Sequence, residues 1–255
     1  MRRARLRGPS SAAYGIVVLA LAGCGSSTVG NEPTAPSRTV TVLAAASLSE
    51  SFDRLRADFG DSHPGIGVEV SYGSSATLVQ QVNEGAPAQV IALAGEAAAE
   101  PLDRSLVKKS GIFATNVLEI AVPPDNPGKV NDVNDLGRAG LKVVLCAETV
   151  PCGKAADATF KKARVVPSVV SREVDVKATL AKVKLGEADA AVVYHSDVVA
   201  ADGAVTGVPI PDPLNTSLRY PIITLADDAA TAEFAEYVLS PEGLSTVQSF
   251  GLGAP

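Results

Sequence analysis

From Thr39 to the C-terminus, short apolar runs alternate with amphipathic stretches, and that alternation leaves few folds open. VTVLAAA (40–46) reads as a buried strand, after which Leu48, Phe52, Leu55 and Phe59 recur at helical spacing. Gly60–Gly67 is a turn region, and Ile66, Val68, Val70 and Tyr72 alternate as a second strand. SSATLVQQVNEG is a helix stopped by Gly85, AQVIAL (88–93) a third strand, and 96–109 a further helix. A strand at 115–122 runs into a Pro-rich loop, and LKVVLC (141–146) precedes a helix through Ala163. SVVS (168–171) is short and extended. DVKATLAKVKLGE (175–187) is a helix with Asp175 as its N-cap, and DAAVVYH (189–195) is a buried strand. An extended segment at 219–225 leads into two C-terminal helices, the second capped by Ser240 with Pro241 at its first position. Repetition of this kind means α/β architecture with mainly parallel strands.

The N-terminus stands apart from this pattern. Arg2, Arg3, Arg5 and Arg7 precede an apolar run, Ala12–Ala22, too short to span a membrane but of signal-peptide length. Residues 1–23 therefore read as a signal peptide. LAGC (21–24) resembles a bacterial lipobox, which implies acylation of Cys24 and anchorage to the outer face of the cytoplasmic membrane. Residues 24–38 are small, polar and Pro-containing, as a tether should be. The leader holds four of the 22 basic residues and no acid; the remainder carries 18 against 28 acidic residues, a net of −10. A nucleic-acid partner is not expected. With no Trp and 4% aromatics, the chain also lacks the ring platforms that sugar and peptide receptors use. With Cys24 lipidated, Cys146 and Cys152 remain; an even pair in an exported chain favours a disulfide, two buried thiols being the alternative.

Two serine-bearing turns, AAASL (44–48) and YGSSATL (72–78), each end a strand and begin a helix. A helix start offers unpaired N–H groups and partial positive charge, and a hydroxyl there adds a donor. Ser47, Ser75, Cys152 and Val176 all stand at such junctions, and Tyr194 ends a buried strand. The collection is all donors without charge. It fits a fully ionised oxyanion with no proton of its own to donate. The crossings at 115–122 and 219–225 divide the chain into a discontinuous lobe, 39–115 with 224–255, and an inserted lobe, 116–223.

AAASL, GSSATL, EGAPA (84–88), ETVPCGKAA, EVDVKATL and AAVVYHSD resemble, in order and spacing, the bacterial molybdate-binding proteins of ABC transporters. The resemblance implies a type II periplasmic-binding-protein fold: two α/β lobes, two linker crossings and a ligand trapped between them. It assigns the oxyanion contacts to Ser47, Ser75, Tyr194 and the backbone N–H groups of Cys152 and Val176, with Ala46 and Gly153 as secondary candidates. It further implies capture of molybdate, with tungstate alongside, by a monomer that delivers it to a permease and ATPase complex, without a cofactor.

The chain departs from that pattern at Cys146 and Cys152, where Ala or another apolar residue is usual. It departs again at Gln89 and Gly95, where Asp is usual; we place these two at the rim of the cleft. Two other functions compete: a receptor of the same fold for sulfate or another small oxyanion, and a serine hydrolase. The hydrolase lacks a nucleophile elbow and has only two histidines, His63 and His195, to draw on. The lysine-bearing face at 177–184 reads as a solvated helix surface.

Overall fold

Among residues 38–255, which the computed structural model describes, nine strands form one hydrogen-bonded sheet, eight of them in a single path. The leader, Cys24 and the tether as far as residue 37 lie outside the described residues. The path begins with β1 (Arg38–Ala45), flanked in parallel by β2 (Ile66–Gly73) and β3 (Val90–Ala92). It ends with a second parallel set, β5 (Val143–Cys146) between β6 (Val169–Glu173) and β7 (Ala190–Tyr194). Between them run two long antiparallel strands, β4 (Lys109–Val122) and β9 (Ser217–Thr224). The order is β2-β1-β3-β9-β4-β7-β5-β6, with β8 (Thr206–Pro209) added on β4. β4 changes partners midway: Lys109–Val117 pair with β9, and Leu118 onward with β7.

Helices follow the parallel strands because their apolar residues recur on one face. In α1 (Ser49–Ser62) Phe52, Leu55 and Phe59 are fully buried; burying a side chain of this size is worth about 1.5–3 kcal/mol. Phe52 meets Phe113 edge-on at 5.7 Å, and Phe59 meets Phe234 of α6 (Ala229–Leu239) at 5.3 Å. α2 (Ser75–Asn83) covers the other side of β1 and β3 over Leu43, Ile91 and Leu93. α3 (Pro151–Ala163), α4 (Val176–Lys184) and α5 (His195–Ala200) serve the second strand set, and α7 (Pro241–Ser249) returns to pack on α1 and α6. Asp175 caps α4 by accepting the Ala178 N–H, and Ser240 caps α7 by accepting that of Gly243. Among the described residues no helix is long and apolar enough to cross a membrane.

The helix expected over 96–109 does not form. A single 3-10 turn, Glu96–Ala99, is followed by turns, and the chain is extended from Lys109. Pro101 lacks the N–H a helix needs, and Asp103 accepts the Ser105 N–H instead of leaving it to a helical ladder. Asn83 then fixes the segment, donating to Pro101 O and accepting from Asp103 N–H. β4 consequently starts six residues before the strand read from the sequence, and the short β8 has no counterpart in that reading.

Candidate functional site

The starts of several helices meet around one small cavity. The end of β1 contributes Ala46 and Ser47, where the chain winds through a 3-10 turn (Ala46–Leu48) into α1. The β2–α2 turn adds Ser74 and Ser75. Across from them lie Cys152 at the start of α3, Asp175 and Val176 at the start of α4, and Tyr194 at the end of β7. Each start directs N–H groups and partial positive charge toward the shared space. The cavity has a volume of about 20 Å³. That is room for a compact ion, where organic ligands occupy sites on the order of hundreds of Å³.

Ser47, Ser75, Cys152, Val176 and Tyr194 thus line one cavity, with Ala46 beside them. Gly153 stands behind the wall. A Cβ there would lie 2.0 Å from the Ala147 carbonyl oxygen, so this glycine lets α3 close against the preceding loop. That loop is tied down by a disulfide between Cys146 and Cys152, with Cα atoms 5.7 Å apart.

The adjacent serines of the second turn have separate tasks. Ser74 is the N-cap of α2: its Oγ accepts the Thr77 N–H at 3.2 Å and bonds Thr77 Oγ1 at 2.8 Å. Ser75 Oγ instead accepts the Ala94 N–H at 2.9 Å, which fills a lone pair and leaves its hydrogen to give. Tyr194 is the most telling. It is fully buried, and its Oη makes no hydrogen bond of ordinary geometry among the described residues. Burial above all, with Tyr220 and Asp197 nearby, holds the phenol well above its ordinary pKa, so it keeps its proton. An unmade hydrogen bond of this kind costs about 1–3 kcal/mol. The hydroxyl is a donor without a well-placed acceptor, Tyr220 being its polar neighbour.

No lysine or arginine lines the cavity among the described residues, and its one carboxylate, Asp175, is occupied in capping α4. The nearest cation in sequence to the donor positions, Lys177, corrects the reading of 177–184 as a solvated face. Its Nζ lies 2.9 and 2.7 Å from the two Glu50 carboxylate oxygens on α1, and 3.1 Å from Asp197 Oδ1. Asp197 is wholly buried, and its Oδ2 accepts the Tyr194 N–H at 3.2 Å. Burial raises the Asp197 pKa against the pull of Lys177. For Lys177 burial works downward, but the attraction of Asp197 and Glu50 outweighs it and the pKa is raised. For Glu50 burial works upward, and its bonds to Lys177 and Ser49 carry the pKa below its ordinary value.

Gln89 is not at the rim. Its side chain accepts from Thr41 N–H and donates to Thr39 O, at the end of β3 remote from the cavity. Gly95, at φ +100°, lines a larger neighbouring groove beneath Leu218. His63 stacks on Phe59 at 4.1 Å, and His195 Nδ1 is 2.7 Å from Glu119 Oε2. Neither lines the cavity. Behind Ser47 lies a buried group that no local pattern announced. Ser47 Oγ is 3.3 Å from Tyr220 Oη, and Asn116 Nδ2 donates to Tyr220 Oη at 3.3 Å and to Ser196 Oγ at 2.8 Å.

Residues 40–253 match the family described as bacterial extracellular solute-binding protein. The chain is 32% identical over 253 residues to the molybdate-binding protein ModA of Mycobacterium tuberculosis (strain H37Rv), covering 94% of this chain and 95% of that one. Among solved structures it is similar to the substrate-binding domain of a putative molybdenum ABC transporter from Clostridium difficile, at TM-score 0.66 and 28% identity, covering 86% of this chain and all of that one. The periplasmic molybdate-binding protein of Azotobacter vinelandii gives TM-score 0.74 at 19% identity, covering 85% and 99%. The sulfate-binding protein SubI of Mycobacterium tuberculosis gives 0.76 at 19%, covering 84% and 86%. The last two likenesses speak to the fold, which is that of the type II periplasmic binding proteins.

Proposed function

The chain belongs to the family of bacterial extracellular solute-binding proteins, and on that premise we propose that it captures molybdate in the cavity between its two halves and delivers it to an ABC transporter. One lobe is residues 39–115 with 224–255, the other 116–223, and β4 and β9 are the crossings between them. The oxyanion accepts hydrogen bonds from the hydroxyls of Ser47, Ser75 and Tyr194 and from the N–H groups of Cys152 and Val176. The amides of Ala46 and Gly153 are outlying donors. The observation that carries this reading is the buried Tyr194 hydroxyl, which makes no hydrogen bond of ordinary geometry, at a cavity that also receives a serine already satisfied as an acceptor. Hydrogen bonds to a charged group are worth about 1.5–3 kcal/mol each, so several neutral donors together replace water around a dianion.

The same donor set selects by protonation. A ligand bearing a proton would bring a hydrogen to a wall of hydrogens and leave buried groups unsatisfied. Tungstate, a tetrahedral dianion of nearly the same shape, binds the same way. The protein is a receptor without enzymatic activity, a reading supported by the family and by the partners of both histidines, His63 being stacked on Phe59 and His195 bound to Glu119. It acts as a monomer outside the cytoplasmic membrane, held there by a lipid on Cys24, and meets the permease and ATPase complex in that position. Titration calorimetry with molybdate, tungstate, sulfate and phosphate tests the ligand assignment. Tight binding of the first two with weak or no binding of the others is expected; a preference for sulfate, or no heat with molybdate, would overturn it.

A further inference from the structure

We infer that Tyr220 is a positioning residue that locks the Ser47 hydroxyl as a donor toward the bound anion. The inference rests on the proposed contact between Ser47 and molybdate and goes beyond it, because Tyr220 does not line the cavity. The order of hydrogens follows from a chain of buried groups that starts at a fixed amide. Asn116 Oδ1 accepts the Val117 N–H at 3.0 Å, which puts the amide nitrogen on the opposite side. That nitrogen can only donate, and it donates to Tyr220 Oη at 3.3 Å. Tyr220, fully buried, therefore has a lone pair filled and its single hydrogen left to place. The acceptor in hydrogen-bond geometry is Ser47 Oγ at 3.3 Å. Burial keeps the phenol protonated, so the hydrogen stays available.

Once Ser47 accepts from Tyr220, its own hydrogen has to go elsewhere, and the cavity is on its open side. The arrangement repeats the logic of Ser75, whose oxygen accepts the Ala94 N–H. Both serines are held in the donating sense before any ligand arrives, one by a backbone amide and the other by a side chain 173 residues away. Without Tyr220 the Ser47 hydroxyl is free to rotate, and part of its donor role is lost. This is pre-organisation of a neutral group, not a direct contact.

A double-mutant cycle on molybdate affinity tests this, using titration of Tyr220→Phe, Ser47→Ala and the double variant. In the unaltered background Tyr220→Phe should weaken molybdate binding about fivefold, the worth of one hydrogen bond of about 1 kcal/mol. In the Ser47→Ala background the same change should cost nothing further. Equal losses in both backgrounds would overturn the inference and make Tyr220 a general packing residue. Should Tyr220→Phe fail to fold, Asn116→Leu, which removes the donor that orders the phenol, runs through the same cycle with the same expectation. If Ser47→Ala leaves affinity unchanged while the protein binds molybdate, this inference falls and the function stands. If the unaltered protein binds no molybdate, both fall.

Discussion

The donors at the cavity differ in how the empty protein treats them, and this separates their mutational signatures. Ser75 is satisfied through Ala94, so Ser75→Ala removes the proposed ligand bond and also strands a buried N–H. Its molybdate affinity should fall by about 1.5–3 kcal/mol, together with a lower melting temperature without ligand; calorimetry and thermal denaturation read the two. Tyr194 carries an unmade hydrogen bond when empty. Tyr194→Phe should leave the ligand-free melting temperature unchanged or raised while affinity drops, so stability and function move in opposite directions. A fall in both would mean that the hydroxyl has a structural partner. Much of this was legible in the sequence, because a serine after a strand or an Asp before a helix announces itself over three or four residues. Tyr220 and Glu50 were not. Their partners lie 173 and 127 residues away, and nothing beside either in the chain signals them.

At the level of elements, the wall that presents the Cys152 N–H is a short turn closed by a disulfide. The loop it closes holds seven residues, counting both cysteines. Closing so small a loop limits the unfolded chain by about 2 kcal/mol. Reduction, or Cys146→Ser with Cys152→Ser, should lower the unfolding free energy by roughly that amount in urea titrations run with and without reductant. No change would mean that the turn is equally ordered with free thiols. The helix capped by Asp175 and the one opened by Ser240 and Pro241 were foreseeable from their first residues. The stretch after Gly95 was misread because its alanines favour a helix while Pro101 and Asp103 supply a turn, and one proline outweighs several alanines.

Across the whole molecule, the Glu50–Lys177 pair joins α1 to α4, which the proposed division of the chain assigns to different lobes, beside the proposed ligand. If the proposed lobes part to release the ligand, this pair must break. Glu50→Gln should speed molybdate release in stopped-flow measurements and lower the melting temperature at neutral pH. The pKa of Glu50 lies below its ordinary 4.5, so its stabilising share is complete above that value and is lost as pH falls through the lowered one. The melting temperatures of Glu50→Gln and the unaltered protein should therefore converge in acid below pH 4.5; a constant gap would assign the effect to something other than this charge. The topology has a temporal meaning as well. Phe59 waits for Phe234 and Tyr237 of α6, and α1 for α7, whereas β4 through β8, with α3 to α5, come from one unbroken run of chain. During biosynthesis the apolar face of α1 therefore stays uncovered until α6 and α7, the last helices made, emerge.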